Sequence, residues 1–263
     1  MSEVSHVPAG RFEHKFFISD DLALAVREAL RDQLELDAHT PTGSVRGYKV
    51  HSIYFDTPTL NLYQFTRAGL QERFKLRVRY YDQQPEGLAF VEVKEKRSGQ
   101  TYKWRFQADK QFAAGVLGGQ RSRQIDEALS NGGNHLALAE FCRRQDALRA
   151  APKLIVTYER EAFNSRDEAS VRITFDRRIT ANAFGRESAW RVPPYGVNVG
   201  GLSVVLELKY SGELPAWLQE VVARFGLNRT SYSKFAECID ALGISGQALR
   251  DEANSGSKKS DDE

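Results

Sequence analysis

The stretch RFKLRVRYYDQQPEGLAFVEVKEKRSGQTYKWRF, Arg73–Phe106, decides the fold. In its first third Arg73, Lys75, Arg77 and Arg79 alternate with Phe74, Leu76, Val78 and Tyr80. A period of two is that of a strand with one charged and one apolar face. After a turn at Gln83–Gly87, Glu92, Lys94 and Lys96 share one face of a second strand, with Val91 and Val93 on the other. After a turn at Ser98–Gln100, Lys103 and Arg105 oppose Tyr102, Trp104 and Phe106 in a third. Short turns make this an antiparallel meander, so the charged faces lie side by side with strands about 5 Å apart. Like charges at that spacing repel. One such strand is plainly read as a solvated face, but solvated faces mix both signs, and here Glu92 is the one carboxylate among the positions named. Three adjacent basic faces call for a polyanion.

The excess is local, because the chain as a whole carries 37 basic against 35 acidic residues, a net charge of +2 in 263 residues. That balance excludes the broad positive field of a nonspecific nucleic-acid binder. Cys142 and Cys238 stand far apart without a second ligand at zinc spacing and read as reduced thiols. The opening MSEVSHVPAG lacks the regions of a signal peptide, and no apolar run approaches the roughly 20 residues of a membrane span. The expectation is a cytoplasmic protein without a membrane span.

Outward from the centre the charged parity recurs. Arg11, Glu13 and Lys15 alternate with Phe12, His14 and Phe16, and Ser19-Asp20-Asp21 should start a helix over 22–36 with Leu22, Val26, Ala29 and Leu30 on its apolar stripe. Tyr48–Asp56 reads as a strand ended by Thr57-Pro58, and Arg67 at the entrance to the meander is either a rim cation or a solvated one. His14 and His51 have no partners at ligand spacing and read as packing residues. Helices follow near 110–117, 122–129 and 136–148, with turns at Gly118-Gly119 and Gly132-Gly133 that lack the lysine of a phosphate loop. Strands resume over 154–163, 171–176 and 203–210, where Glu207 sits among apolar neighbours. A buried carboxylate needs a cation or a metal, so Glu207 is either salt-bridged to Lys209 or an arginine, or a metal ligand. Two more helices, over 214–225 and 234–242, complete a single domain over 1–245, and the polar composition of 246–263 reads as a disordered tail.

If the apolar faces met in a sandwich, the amphipathic helices would have nothing to cover. The expected fold is therefore α+β: a closed antiparallel β-barrel with a charged interior, its apolar faces turned outward beneath amphipathic helices. Such a lining suits phosphate oxygens, which arginine can grip in pairs. Nucleic acid is not expected, because the aromatics fall mostly on the outward parity and leave no interior stacking platforms.

The series RFEHKFF, SIYFDT, KLRVRYY, FVEVKEK, TYKWRF, YEREAF, VRITFD, VVLELKY and SYSKF, spread over residues 11–242, resembles the VTC domain, the polyphosphate polymerase branch of the CYTH-like triphosphate tunnel metalloenzymes. The resemblance implies a triphosphate tunnel that binds ATP and inorganic polyphosphate with manganese or magnesium. It makes Lys15, Arg77, Arg79, Lys94, Lys103, Arg160, Arg172, Lys209 and Lys234 phosphate-binding residues and Glu207 the metal carboxylate, with Glu13 as a second metal candidate. Arg160 fits its role only through a twist or bulge, since it shares a parity with Leu154 and Val156. The implied activity is that of an ATP-polyphosphate phosphotransferase catalysed by Arg77, Arg79, Lys94, Lys103 and Glu207. The alternatives are a triphosphatase of the same tunnel class and a noncatalytic polyphosphate-binding module. Inositol-phosphate sensing and membrane export are not carried over, because the corresponding segments are absent from this sequence.

Overall fold

A computed structural model describes residues 10–37, 40, 47–119, 123–130, 135–167, 171–185 and 189–245. The expected turn at Gly132-Gly133 and the expected tail over 246–263 lie outside the described residues. The elements in chain order are β1 (Phe12–Ile18), α1 (Asp20–Ala29), β2 (Leu34–Leu36), β3 (Tyr48–Asp56), α2 (Asn61–Arg67), β4 (Arg73–Tyr80), β5 (Leu88–Arg97), β6 (Gln100–Asp109), α3 (Lys110–Leu117), α4 (Arg123–Ser130), α5 (Leu136–Leu148), β7 (Ala151–Ser165), β8 (Arg172–Ala183), β9 (Val197–Asn198), β10 (Val204–Tyr210), α6 (Ala216–Arg224) and α7 (Lys234–Ala241).

One antiparallel sheet runs in the order β1-β10-β8-β7-β3-β4-β5-β6, with β2 paired to β7 and β9 to β8. The sheet curls until its two ends meet at one residue pair: the Arg11 N–H donates to the Thr101 carbonyl at 3.1 Å, and the Thr101 N–H to the Arg11 carbonyl at 2.8 Å. The central meander forms as its alternation predicts. Ser98 (φ 46°) and Gly99 (φ 82°) make the tight β5–β6 turn that needs positive φ at both positions, and this fixes Lys94 opposite Lys103 and Glu92 opposite Arg105.

The outward faces are covered in two groups. Ile53, Phe55, Leu76, Val78, Val91 and Val93 pack with Leu62 of α2, Val116 of α3, Ile125 of α4 and Phe141 of α5. Phe16, Ile173, Phe175, Leu206 and Leu208 pack with Ala23, Val26 and Leu30 at α1 and Leu218 of α6. Helix α7 instead sits on the concave face against β7, β8 and α2, with Phe235 stacked on Tyr54 at 5.1 Å. No helix among the described residues is long and apolar enough to cross a membrane. Cys142 and Cys238 are both buried.

Three local expectations are corrected. The helix capped by the Ser19 hydroxyl ends at Ala29 rather than near residue 36, because the chain from Leu34 to Leu36 pairs instead as strand β2 with β7, Leu34 opposite Ser165 and Leu36 opposite Phe163. Strand β8 continues past Asp176 to Ala183, since β7 offers it partners as far as Leu154. The last long helix, α6, begins after Pro215 rather than at Leu214, with Pro215 as its N-cap. The outer packing yields a direct test. Phe141 is fully buried and edge-on to Phe55 at 5.3 Å, so Phe141→Ala should lower stability by about 3–5 kcal/mol in urea unfolding.

Candidate functional site

The concave face encloses a cavity of about 520 Å³. Among the described residues, twelve cationic side chains line it against two carboxylates, Glu13 and Glu207. All eleven residues singled out from the sequence reach it: Glu13 and Lys15 from β1, Arg77 and Arg79 from β4, Lys94 from β5, Lys103 from β6, Arg160 from β7, Arg172 from β8, Glu207 and Lys209 from β10, and Lys234 at the start of α7. Arg160 needs no twist or bulge in β7 to arrive there. Strand β7 pairs with β3 without a break from Tyr48 opposite Arg160 to Tyr54 opposite Leu154, so Leu154, Val156, Tyr158 and Arg160 share the inward face. The register shift of the β7–β8 ladder places its extra residue in β8, between Arg177 and Thr180.

Three further cations, Arg11, Lys75 and Arg105, also line the cavity. Lys75 and Arg105 share the parity of Arg77 and Lys103, so alternation alone could have found them. The aromatic expectation is overturned: Tyr48, Tyr54, Tyr81, Tyr158 and Phe235 face the cavity. Tyr48 and Tyr54 sit in a strand with aromatics on both parities, so composition could not tell which would turn inward. Gly47 (φ 79°) makes a close approach there, since a Cβ would lie 2.0 Å from the Arg160 carbonyl. This lets Tyr48 pair directly with Arg160.

Four carboxylates hold the cations apart. Glu92, wholly buried, accepts from Arg77 Nε at 2.6 Å and Arg105 Nη2 at 2.7 Å, with Lys103 Nζ at 2.9 Å and Arg79 Nε at 3.7 Å. Burial raises its pKa, but Arg77 and Arg79 outweigh that and hold it well below the usual carboxylate range. Asp176, also wholly buried, takes a two-point grip from Arg160, Nε and Nη2 each at 2.7 Å, and Lys234 Nζ at 2.6 Å. Glu207 meets Lys209 at 2.8 Å and Lys234 at 3.1 Å, which is the salt-bridged alternative foreseen for it. Glu13 meets Lys94 at 2.8 Å and Lys15 at 3.4 Å. Arg172 bonds Asp37 and Asn164 at the rim.

The lysines show how incomplete this neutralisation is. Burial brings Lys209 down to about 8 despite Glu207. Lys75 lies well below its usual value through burial and the nearby Lys15 and Lys94, and Lys103 through burial, which Glu92 does not offset. Lys234, between Asp176 and Glu207, is the contrary case and is raised.

A second cavity of about 380 Å³ adjoins the first and shares Glu13, Lys15, Lys75 and Lys94 with it. It adds Arg67, Arg73, Lys96 and Arg229. Arg67 is thus a rim cation, held by Glu237 at 2.7 Å and by Asp240. His14 and His51 bond within the fold: His51 Nδ1 pairs with Thr157 Oγ1 at 2.9 Å, and His14 Nε2 with the Tyr210 hydroxyl at 2.9 Å.

The VTC domain model matches residues 10–243. The chain belongs to the VTC domain family. Solved structures similar to this VTC domain include the PH1819 protein from Pyrococcus horikoshii OT3, at 14% identity and a TM-score of 0.43, covering 88% of this chain and 98% of that one. Another is a putative adenylyl cyclase, HpAC1, from Hippeastrum, described as having a dominant triphosphatase activity. It is 15% identical with a TM-score of 0.47, covering 87% of this chain and 94% of that one. A search of curated proteins finds no match.

No cluster of three or more metal-ligating His, Cys, Asp or Glu occurs among the described residues. The VTC domain does pair two carboxylates. Glu13 and Glu207 flank Lys15, at 3.4 and 3.8 Å from its Nζ, and the buried Oε1 of Glu13 has no hydrogen-bond donor. Two hard oxygen donors, one of them ion-paired but accepting no hydrogen bond, fit a divalent cation of the oxygen-preferring class.

Glu92 supplies a test of the electrostatics. Glu92→Gln removes the charge that four cations share, so stability should fall by roughly 3–5 kcal/mol. Inorganic tripolyphosphate should then raise the melting temperature of the variant more than that of the wild type, as read by thermal unfolding with and without the anion.

Proposed function

We propose that this VTC domain is a polyphosphate polymerase, an ATP-polyphosphate phosphotransferase. The reading is carried by one observation: the cationic cavity that can take a nucleoside triphosphate runs on into a second cationic cavity, with Lys75 and Lys94 belonging to both. A triphosphatase needs room for its substrate and a water. A polymerase needs room for a chain as well. In this reading the curled sheet works as a closed triphosphate tunnel, its seam at Arg11 and Thr101.

The reaction is transfer of the γ-phosphoryl group. An oxygen of the terminal phosphate of polyphosphate bonds to the γ-phosphorus, the bridge to the β-phosphate breaks, and ADP leaves. The transition state is loose, so positioning and charge neutralisation do most of the work. Arg77, Arg79, Lys94 and Lys103 hold the donor phosphates, and Arg160, Arg172, Lys209 and Lys234 hold the phosphates around the transferred group. Lys15, beside Glu13 and Glu207, faces the shared boundary of the two cavities. A divalent ion held by Glu207 and Glu13 would neutralise charge on the phosphate oxygens. The acceptor is already ionised, so the absence of a general base from the proposed machinery costs little. An ATP donor implies work in the cytoplasm.

Incubation with ATP and manganese or magnesium should give polyphosphate ladders on a gel. Phosphate release without ladders would assign hydrolysis instead, and binding without turnover a noncatalytic module. Glu207→Gln and Arg77→Ala should each lower the rate about a hundredfold or more.

The depressed lysines add a pH signature. A bound polyanion favours their charged forms and raises their pKa values, so binding takes up protons. With Lys209 near 8 in the free protein, calorimetry of metal-free tripolyphosphate at pH 8.5 in buffers of different ionisation heat should show net proton uptake. Affinity should fall as the pH rises through that value.

A further inference from the structure

Most aromatic rings on the two cavities are already engaged face to face or by a cation. Phe12 stacks on Tyr210 at 5.7 Å, Tyr54 on Phe235 at 5.1 Å, and Tyr232 on Phe17 at 5.2 Å. Tyr158 lies under Arg160 and Lys234, each 5.1 Å from its centroid, and Phe74 under Arg144 at 4.2 Å. Tyr48 and Tyr81 differ. Each is half-buried and lines the first cavity, and among the described ring contacts they have only edge contacts: with each other at 5.7 Å and 69°, and from Tyr81 to Phe90 at 5.8 Å.

Their place on the sheet gives this pair a direction. Tyr81 follows β4 directly, and Tyr81, Arg79, Arg77, Lys75 and Arg73 project on one parity at steps of roughly 7 Å. Tyr81, Arg79 and Arg77 line the first cavity only, Lys75 lines both, and Arg73 the second only. The strand therefore passes from an aromatic end, through phosphate-binding positions, to a purely cationic end.

We infer that Tyr48 and Tyr81 form the nucleoside subsite of the donor, stacking the base of ATP at that end of the cavity and so setting the orientation of its triphosphate along β4. This rests on the reading that a triphosphate binds in the cavity. It makes the two tyrosines positioning residues that recognise a ring face, with no hydrogen-bond readout. Purine nucleotides should consequently bind better than pyrimidine nucleotides, with little choice between adenine and guanine.

The test compares two probes on the full chain in metal-free buffer by calorimetry: the imido analogue of ATP, and inorganic tripolyphosphate, which has no base. Tyr81→Leu should weaken the ATP analogue about tenfold and leave tripolyphosphate within about twofold, because one stacked base is worth about that much. Tyr48→Leu should act in the same direction, and Tyr81→Phe should restore the wild-type ratio. Equal losses on both probes would overturn the inference by giving the tyrosines a merely structural role, and no loss on either would overturn it by removing the base contact. Both outcomes leave the phosphate-binding reading standing. A wild-type protein that binds neither probe would overturn that reading and the inference with it.

Discussion

Two buried carboxylates, Glu92 and Asp176, make it possible for this sheet to turn its charged parity inward. Around Glu92 of β5 the side chains of Arg77, Arg79, Lys103 and Arg105 come from the two strands that flank it, β4 and β6, and around Asp176 those of Arg160 and Lys234 come from a strand and a helix. Without these countercharges the cations would repel at strand spacing, and the concave face would favour opening toward water. With them, the outward parity is free to be largely apolar, its buried carboxylates Glu95 and Glu161 being met by Arg144 of α5 and Arg27 of α1. Helices α1 to α6 then cover a surface that a two-faced polar sheet would not offer.

Neutralisation stops short of completion, and function follows from the remainder. Asp176 takes an arginine in two-point geometry and Glu92 gathers four cations, whereas Lys75 and Lys209 are left with lowered pKa values in a concave, partly dehydrated space. Field lines from such a lining converge on the cavity rather than spreading over the surface, in keeping with a chain whose net charge is only +2. Glu13 and Glu207 are the exceptions to the cationic lining, and they stand together near Lys15. A polyanion would complete the cation pairing from outside the protein's own inventory.

Much of this was legible residue by residue. The alternation in Arg73–Phe106 placed β4, β5 and β6, and the charged parity pointed to the same face that lines the cavity. Where prediction failed, a competing tertiary partner explains it. Leu34 and Leu36 fell within the helix expected over 22–36 but pair with β7. Arg160 shares its parity with Leu154 and Val156, and that whole parity turns inward, because Leu154 pairs with Tyr54 and Val156 with Ser52 on the face where Tyr48 meets Arg160. Tyr48 and Tyr54 could not be assigned inward, since a strand with aromatics on both parities has no preferred face until its neighbours are in place.

By itself the sequence determined the charge parity of each strand and the helices that must cover the apolar one, because both are periodic and local properties. Only the tertiary structure decided that β1 and β6 would meet at Arg11 and Thr101, that Asp176 would lie beneath Arg160 and Lys234, and that α7 would pack on the concave face. These depend on curvature, strand register and a β8 irregularity summed over the whole sheet, and no stretch of the chain carries that sum alone.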